Sequence, residues 1–321
     1  MTAAVERDLA AVERAAGLLG PAATRSVPLG ALTTYRVGGT AALAVAPTGE
    51  DELRRVADAV QESGVAVLVV GRGSNLLVAD AGFPGLAVMV REAFDAVDVD
   101  GTLVRAGGGT SLPVLARRTA AASLAGLEWA AGIPGSVGGG VRMNAGGHGS
   151  DTAAVLERAR VVGLASGLVG WRTAADLRLG YRSSDLTAAD VVVAAELRCR
   201  PGDRAVSEAL IDDIVRWRRV NQPGGQNAGS VFTNPDGDSA GRLIDQVGMK
   251  GFRVGTASVS TKHANFIQAD EHGSADDVLA VVHAVRAAVR ERTGVDLRTE
   301  VRLIGFAGTY PHAVGEGDRN G

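Results

Sequence analysis

Six consecutive apolar residues, Val65–Val70, run without a spacer into Gly71-Arg72-Gly73-Ser74-Asn75. An apolar run of this length is what a strand covered on both faces requires. It commits the chain to an internal sheet strand that ends in a glycine turn. Glycines so close together let backbone N–H groups converge on an anion. The pattern is not the Gly-x-Gly-x-x-Gly dinucleotide fingerprint, because Leu76 stands where the third glycine belongs.

Around this strand the pattern predicts a βαββ unit from Ala41 to Val90: a strand at Ala42–Ala46, a helix from a Thr48…Asp51 capping box to Gly64, then the buried strand. A second unit, Leu103 to Cys199, holds a strand into Gly107-Gly108-Gly109, a helix at Pro113–Leu124, and strands at Ala159–Leu164 and Val191–Arg198. Between them lies Gly132-Ile133-Pro134-Gly135-Ser136-Val137-Gly138-Gly139-Gly140. It has too little side chain to make a core, but Ile133, Val137 and Val141 argue against a solvated linker. A loop over Ala130–Gly149, folded against a flat apolar group such as an isoalloxazine ring, is expected.

Asp203–Ser207 reads as a joint. Beyond it come helices at Ser207–Arg219 (Leu210, Ile211, Ile214 and Val215 inward), Ser239–Val247 and Ser274–Thr293 (Val278, Val281, Val282, Val285 and Val289 inward). Strands are expected around Ala257–Val259, Asn265–Gln268 and Glu300–Leu303. The first 28 residues read as an amphipathic helix, with Val5, Leu9, Val12 and Ala16 on one face, and a linker. The tail after Phe306 reads as disordered.

A chain of 321 residues exceeds one ordinary core, and 44 glycines imply many tight turns and close backbone approaches. A net charge of −3 gives no electrostatic footprint for nucleic acid or a membrane surface. One cysteine, Cys199, excludes an internal disulfide, and with only five histidines a metal cluster is not expected. Without an apolar run of membrane-spanning length or a signal peptide, a soluble cytoplasmic protein is the default.

Three polar segments stand out in the second half. Gly229-Ser230-Val231-Phe232-Thr233-Asn234-Pro235 puts a hydroxyl on a glycine-flanked turn, Gly180-Tyr181-Arg182-Ser183 offers a forked cation, and Thr299-Glu300-Val301-Arg302 offers a carboxyl group. Each alone reads as a turn serine, a surface ion-pair arginine or a cross-strand pair. Together with Thr33-Thr34-Tyr35-Arg36-Val37-Gly38-Gly39, the two glycine-rich loops, Met143-Asn144-Ala145-Gly146, Leu243-Ile244-Asp245, Gly251-Phe252 and His263-Ala264-Asn265-Phe266, they resemble the UDP-N-acetylenolpyruvoylglucosamine reductase family, in that family's order, over residues 29–306.

The resemblance implies an α+β protein: an FAD-binding fold of the vanillyl-alcohol-oxidase type in two subdomains (29–94 and 95–200), then an α+β substrate domain (201–307). It implies non-covalent FAD, NADPH as co-substrate, a UDP-sugar substrate and a monomer. FAD contacts would come from Gly71, Arg72, Gly73, Ser74, Asn75, Leu76, Gly132, Ile133, Pro134, Gly135, Ser136, Gly138, Gly139, Asn144, Gly146 and Arg218. Substrate contacts would come from Tyr181, Asn234 and His263, and no metal is implied. Arg182 matches the family's carboxylate-facing arginine, Ser230 its proton donor and Glu300 its third catalytic position.

The chain departs from the family in places. Ile244 comes only fourteen positions after Ser230, too close for the substrate-closing loop of the longer subtype. His148 follows Gly147 where Ala-Tyr is usual, and Asn221 replaces a lysine that faces the substrate diphosphate, with Arg216, Arg218 and Arg219 as the nearby cations. Besides the reductase, these departures leave open a related flavin oxidoreductase with another substrate and a flavin-binding paralogue without turnover. A nicotinamide-only dehydrogenase is the reading from another fold.

Overall fold

The computed structural model describes residues 3–306, with side chains from residue 6 onward. The expected disordered tail lies outside the described residues. The first unit is a four-stranded sheet in the order β1 (Ala23–Pro28), β2 (Thr40–Val45), β5 (Phe83–Met89), β3 (Val67–Val70). β1 runs antiparallel to β2, whereas β2 and β3 both run parallel to β5. Helix α2 (Glu50–Ser63) crosses between β2 and β3 and ends at Gly64, whose φ of +69° only glycine adopts without strain. The capping carboxylate is Glu52, not Asp51: it accepts from the Thr48 backbone N–H at 2.7 Å and from the Thr48 hydroxyl at 2.8 Å.

The N-terminal segment packs into the first unit. Helix α1 (Ala3–Leu19) buries Ala11, Val12 and Ala15 in the first core, and the expected linker is β1 itself. Leu9, expected inward, is 54% exposed. The alanine face has taken its place against the sheet and α2.

β4 (Leu76–Val78) leaves this sheet and pairs in parallel with the C-terminal strand Arg302–Ile304. The second unit is an antiparallel sheet of five: Val169–Thr173, Leu156–Gly163, Asp190–Arg198, then β7 (Leu103–Gly107) and β6 (Val97–Asp100). Helix α3 (Leu112–Ala121) packs on it. The expected Ala130–Gly149 loop instead contains a helix, α4 (Val137–Met143). Three glycines disfavour helix by roughly 1 kcal/mol each relative to alanine. Burial of Val137 and Val141 outweighs that local preference, and Ser136 caps the first turn by accepting from the Gly139 N–H at 3.3 Å. A side chain at Gly138 would press on the carbonyl oxygens of Gly108 and Val192, 3.1 and 3.2 Å from its Cβ. Gly138 is therefore explained by helix-on-sheet packing.

After a short helix, α5 (Ala174–Leu177), the expected joint at Asp203–Ser207 is the start of α6 (Arg204–Asn221), with Asp203 capping the Val206 N–H at 3.0 Å. Ile211 lies in the second unit's core, and the buried Ser207 hydroxyl donates to Glu128 Oε1 at 2.7 Å. α6 thus packs on the second unit's core. Ile214 is buried as expected, but Leu210 and Val215 are 48% and 40% exposed.

The last unit packs α7 (Ala240–Gln246) and α8 (Ala275–Thr293) on a small antiparallel sheet, Arg253–Val254, Ala257–Val259 and Ile267–Ala269. All five inward valines expected in α8 are buried. Tyr35, Val37, Leu77 and Ala79 enter this core from the first unit, and Asp80 caps α8 by accepting from the Ala275 N–H at 3.0 Å. No described helix is long and apolar enough to cross a membrane.

Candidate active site

Three loops from distant parts of the chain meet at the ends of the first two sheets. The Thr34 N–H donates to the Gly73 carbonyl at 3.2 Å, joining the 33–36 segment to the 71–75 loop. Gly71 faces Ser136: a Cβ at 71 would lie 2.5 Å from the Ser136 hydroxyl. The Leu112 N–H donates to the Gly135 carbonyl, and the Val137 N–H to that of Thr110, fixing the 132–139 loop to α3. Gly73, at φ +63°, is required by its own surroundings, since a Cβ there would meet the Leu32 carbonyl oxygen at 2.3 Å.

The protein's own packing does not explain every glycine. Gly139 is exposed on the first turn of α4, and a Cβ there would find nothing nearer than Ser136 Oγ at 3.5 Å. Gly135, by contrast, is buried, and a Cβ there would touch Ser74 Oγ at 3.5 Å, Leu112 Cδ1 at 3.6 Å and Ile133 Cγ2 at 3.8 Å. A helical glycine with open space beside it fits a group lying against that turn. Gly139→Leu should leave the apoprotein as stable as the parent, or more stable by up to about 1 kcal/mol, while lowering bound flavin below half occupancy. Thermal melts of the apoprotein and the flavin-to-protein absorbance ratio measure the two.

Gly146, Asn144 and Arg182 form the next layer. Asn144, 4% exposed and left-handed at φ +40°, gives Nδ2 to the Gly180 carbonyl at 2.9 Å and to Asp151 Oδ2 at 3.1 Å. Its Oδ1 accepts from the Ala153 N–H at 2.9 Å. The amide expected on the cofactor is spent inside the protein, where it holds the Gly180-Tyr181-Arg182-Ser183 turn. In that turn Arg182 is itself left-handed (φ +53°), a conformation sparsely populated by side chains of its size. Its Nη2 donates to the Gly146 carbonyl at 3.0 Å.

Arg182 Nε lies 2.8 Å from Glu300 Oε1, an ion-pair distance, although the N–H is not aimed along that line. Burial pushes the Glu300 carboxyl above the usual carboxylate range, and the Arg182 cation offsets part of that shift. The Glu300 backbone is pinned on both sides. Its N–H donates to the Val231 carbonyl at 2.8 Å, and its carbonyl accepts from Asn75 Nδ2 at 3.0 Å. Glu300 precedes the last strand rather than lying within it, and its partner is Arg182 rather than a neighbour across a sheet.

Ser230 is therefore one residue from the group that anchors Glu300. Gly229, at φ +79°, turns the chain into it, and the Ser230 hydroxyl makes no hydrogen bond to any described residue. What fixes this turn is Asn265, known from the sequence only as part of a motif. Buried to 4% exposure, it accepts from the Phe232 N–H (2.9 Å) and donates to the Phe232 carbonyl (2.8 Å).

Arg218 sits beside Gly132, whose added Cβ would lie 3.4 Å from both Arg218 Cδ and His148 Nε2. Its Nε donates to Gln222 Oε1 at 2.8 Å, and it has no carboxylate partner among the described residues. Burial lowers its pKa from the ordinary arginine value. A partly buried cation without a carboxylate suits an electron-rich or anionic ligand. His148 meets Trp217 edge-on at 5.2 Å between ring centroids, and burial with the nearby Arg218 charge lowers its pKa.

Tyr181 is 60% exposed, 5.2 Å from the Arg182 guanidinium. Asn234 Oδ1 caps α7 at the Ala240 N–H (3.1 Å), leaving only its Nδ2 to face outward. His263 packs edge-on against Phe266 at the same end of α7, its pKa lowered by burial and by Lys250. Asn221 spends its amide on the Trp217 carbonyl. Besides Arg218 and Arg219, a further cation at this helix end is Lys262, one of two lysines in an arginine-rich chain, whose Nζ donates to the Arg219 carbonyl at 2.7 Å. Sequence reading missed it, although the scarcity of lysine was a usable signal.

The converging glycine loops, the open turn at Gly139 and Arg218 without a carboxylate partner define a flavoprotein of the FAD-binding-domain class, and residues 41–171 match the FAD binding domain family. Residues 220–304 match the family described as UDP-N-acetylenolpyruvoylglucosamine reductase, C-terminal domain. UDP-N-acetylenolpyruvoylglucosamine reductase 2 of Symbiobacterium thermophilum is 43% identical over 289 residues, covering 89% of this chain and 94% of that protein. The reductase of Anaeromyxobacter dehalogenans is 42% identical, with 91% of each chain covered. The crystal structure of the Thermus caldophilus reductase superposes with a TM-score of 0.77 at 35% identity, over 87% of this chain and 98% of that one. The chain belongs to the UDP-N-acetylenolpyruvoylglucosamine reductase family. The expected fold class stands, and the nicotinamide-only dehydrogenase reading falls.

Proposed function

We propose that this protein reduces the enolpyruvyl ether of UDP-N-acetylglucosamine to UDP-N-acetylmuramate, a peptidoglycan precursor, with NADPH as reductant. The observation that carries the reading is the Arg182–Glu300 contact, anchored through Val231 beside the free Ser230 hydroxyl. Gly71–Ser74, the 132–139 loop and Arg218 would hold FAD non-covalently. FAD, when bound, supplies the hydride chemistry, and the protein supplies position and polarity.

Hydride addition at C3 of the enolpyruvyl group places negative charge on C2 and the adjoining carboxylate. Arg182, held in a strained turn by Asn144 and Gly146, offers a fixed forked cation for that charge. The Ser230 hydroxyl delivers the proton to C2. Glu300, inclined by burial to hold its proton, polarises the same end of the substrate or relays that proton. Asn234 Nδ2, His263, Tyr181 and Lys262 suit the UDP-sugar, with Lys262 standing in for the cation that Asn221 lacks. We place the reaction in the cytoplasm, on a monomer. Purified holoprotein given NADPH and the enolpyruvyl UDP-sugar should consume the two in a one-to-one ratio and yield a product two mass units heavier. NADPH consumption without that product would overturn the assignment.

The raised pKa of Glu300 makes a stability prediction with a definite sign. A carboxyl whose folded pKa lies above its unfolded value stabilises the fold at acid pH, and this contribution is lost as pH rises through the folded pKa. Glu300→Gln lacks this loss, so its melting temperature relative to the parent should rise from about pH 4.5 to pH 8. A difference that is flat, or falls, across that window would mean the carboxyl is not destabilised by burial.

A further inference from the structure

Resting on the reading above, we propose that Asn75 is a positioning residue for Glu300, through which the glycine-rich loop sets the catalytic carboxyl, rather than a side-chain ligand of the cofactor. Its amide Nδ2 donates to the Glu300 carbonyl at 3.0 Å, and its own carbonyl accepts from the Arg302 N–H at 3.0 Å. It thus grips the chain on both sides of Val301. Directly after Asn75, β4 pairs with Arg302–Ile304 in parallel register, Leu76 opposite Arg302. Leu77 and Val301 are both buried in the last unit's core. From Asn75 onward the loop is therefore built into the substrate unit. The 71–74 segment instead joins the Thr33–Thr34 segment and Ser136.

The other ends of residue 300 are also tied. Its N–H reaches Val231, and its carboxyl reaches Arg182. Of these tethers, only the Asn75 amide arrives from the cofactor loop. Loosening it leaves the backbone pairing at Arg302–Ile304 but removes the one side-chain grip on residue 300 itself from the cofactor loop, and small displacements of a reacting group carry large rate costs.

The test uses the holoenzyme with two variants. Asn75→Asp keeps the shape but sets an oxygen against the Glu300 carbonyl, and Asn75→Ala removes the contact without repulsion, should the first not fold. Both should retain FAD at the parent's stoichiometry and be reduced by NADPH at the parent's rate. Turnover of the enolpyruvyl substrate should fall about 10–100-fold in kcat, with KM within about threefold. In a Glu300→Gln background the same Asn75 change should cost no more than about twofold further, because two residues acting through one group are not additive. Loss of FAD in step with activity would return Asn75 to the cofactor, an unchanged kcat would remove its positioning role, and an additive double variant would show that it acts independently of Glu300. A parent protein that accepts electrons from NADPH but never reduces the enolpyruvyl substrate would overturn the underlying reading, and this proposal with it.

Discussion

Ser230→Ala should leave one half of the catalytic cycle intact and cripple the other. The substitution removes one oxygen from a half-buried turn residue whose hydroxyl bonds to no described residue, so folding and FAD content should stay at parent levels. The turn does not depend on that oxygen: Gly229 supplies its left-handed residue, and Asn265 clamps Phe232 from both sides. Electron uptake from NADPH needs no proton delivered to carbon and should proceed near the parent's rate. The half-reaction with the enolpyruvyl substrate does need one, and should slow about 10²–10⁴-fold, the usual span for a positioned acid. Ser230→Cys restores a protic group and should recover part of that loss. Rapid mixing under anaerobic conditions separates the halves. Equal slowing of both would indicate a displaced flavin, and no slowing in either would reduce Ser230 to a turn residue.

Arg182→Lys should lower kcat by about 10²-fold or more, in line with removing one preorganised donor from a site of developing charge. The charge survives the change, but the fork does not. The guanidinium spans two anchors, with Nη2 on the Gly146 carbonyl and Nε against Glu300. A single ammonium cannot hold both while facing a substrate carboxylate. The left-handed backbone at 182 is set by Asn144 and by the Gly180–Ser183 pairing, so lysine should adopt the same turn. A loss confined to KM would mean that Arg182 binds the ground-state carboxylate without favouring the transition state.

The elements legible in the sequence were those where local pattern and tertiary demand agree. α8 carries its five valines inward, from a Ser274 cap to Gly294, and the strand at Val67–Val70 ends where the glycines begin. Local pattern failed where distant packing overrode it. Three glycines in seven residues hid α4, whose stability comes from Val137 and Val141 meeting a sheet formed elsewhere in the chain. Glycine spacing revealed the loops but not why each glycine is there: Gly73 and Gly138 answer to neighbouring carbonyls, whereas Gly139 is exposed with only Ser136 Oγ beside it. Likewise, the types of Asn144 and Asn75 suggested cofactor contacts. Their Nδ2 groups instead donate to carbonyls 36 and 225 positions away in sequence. The β4 pairing with Arg302–Ile304 has the same long-range character, and no window around either strand contains it.

The central claim, that the Ser230, Arg182 and Glu300 constellation serves reduction of an enolpyruvyl UDP-sugar, is tested most directly by one anaerobic titration. Holoprotein is bleached with one equivalent of NADPH and then mixed with the enolpyruvyl ether of UDP-N-acetylglucosamine, with UDP-N-acetylglucosamine itself as the control. The account predicts that the enolpyruvyl compound restores the oxidised flavin spectrum stoichiometrically and appears as UDP-N-acetylmuramate, whereas the control leaves the protein bleached. A bleached protein that stays reduced with the enolpyruvyl substrate, yet reoxidises readily in air, would contradict it.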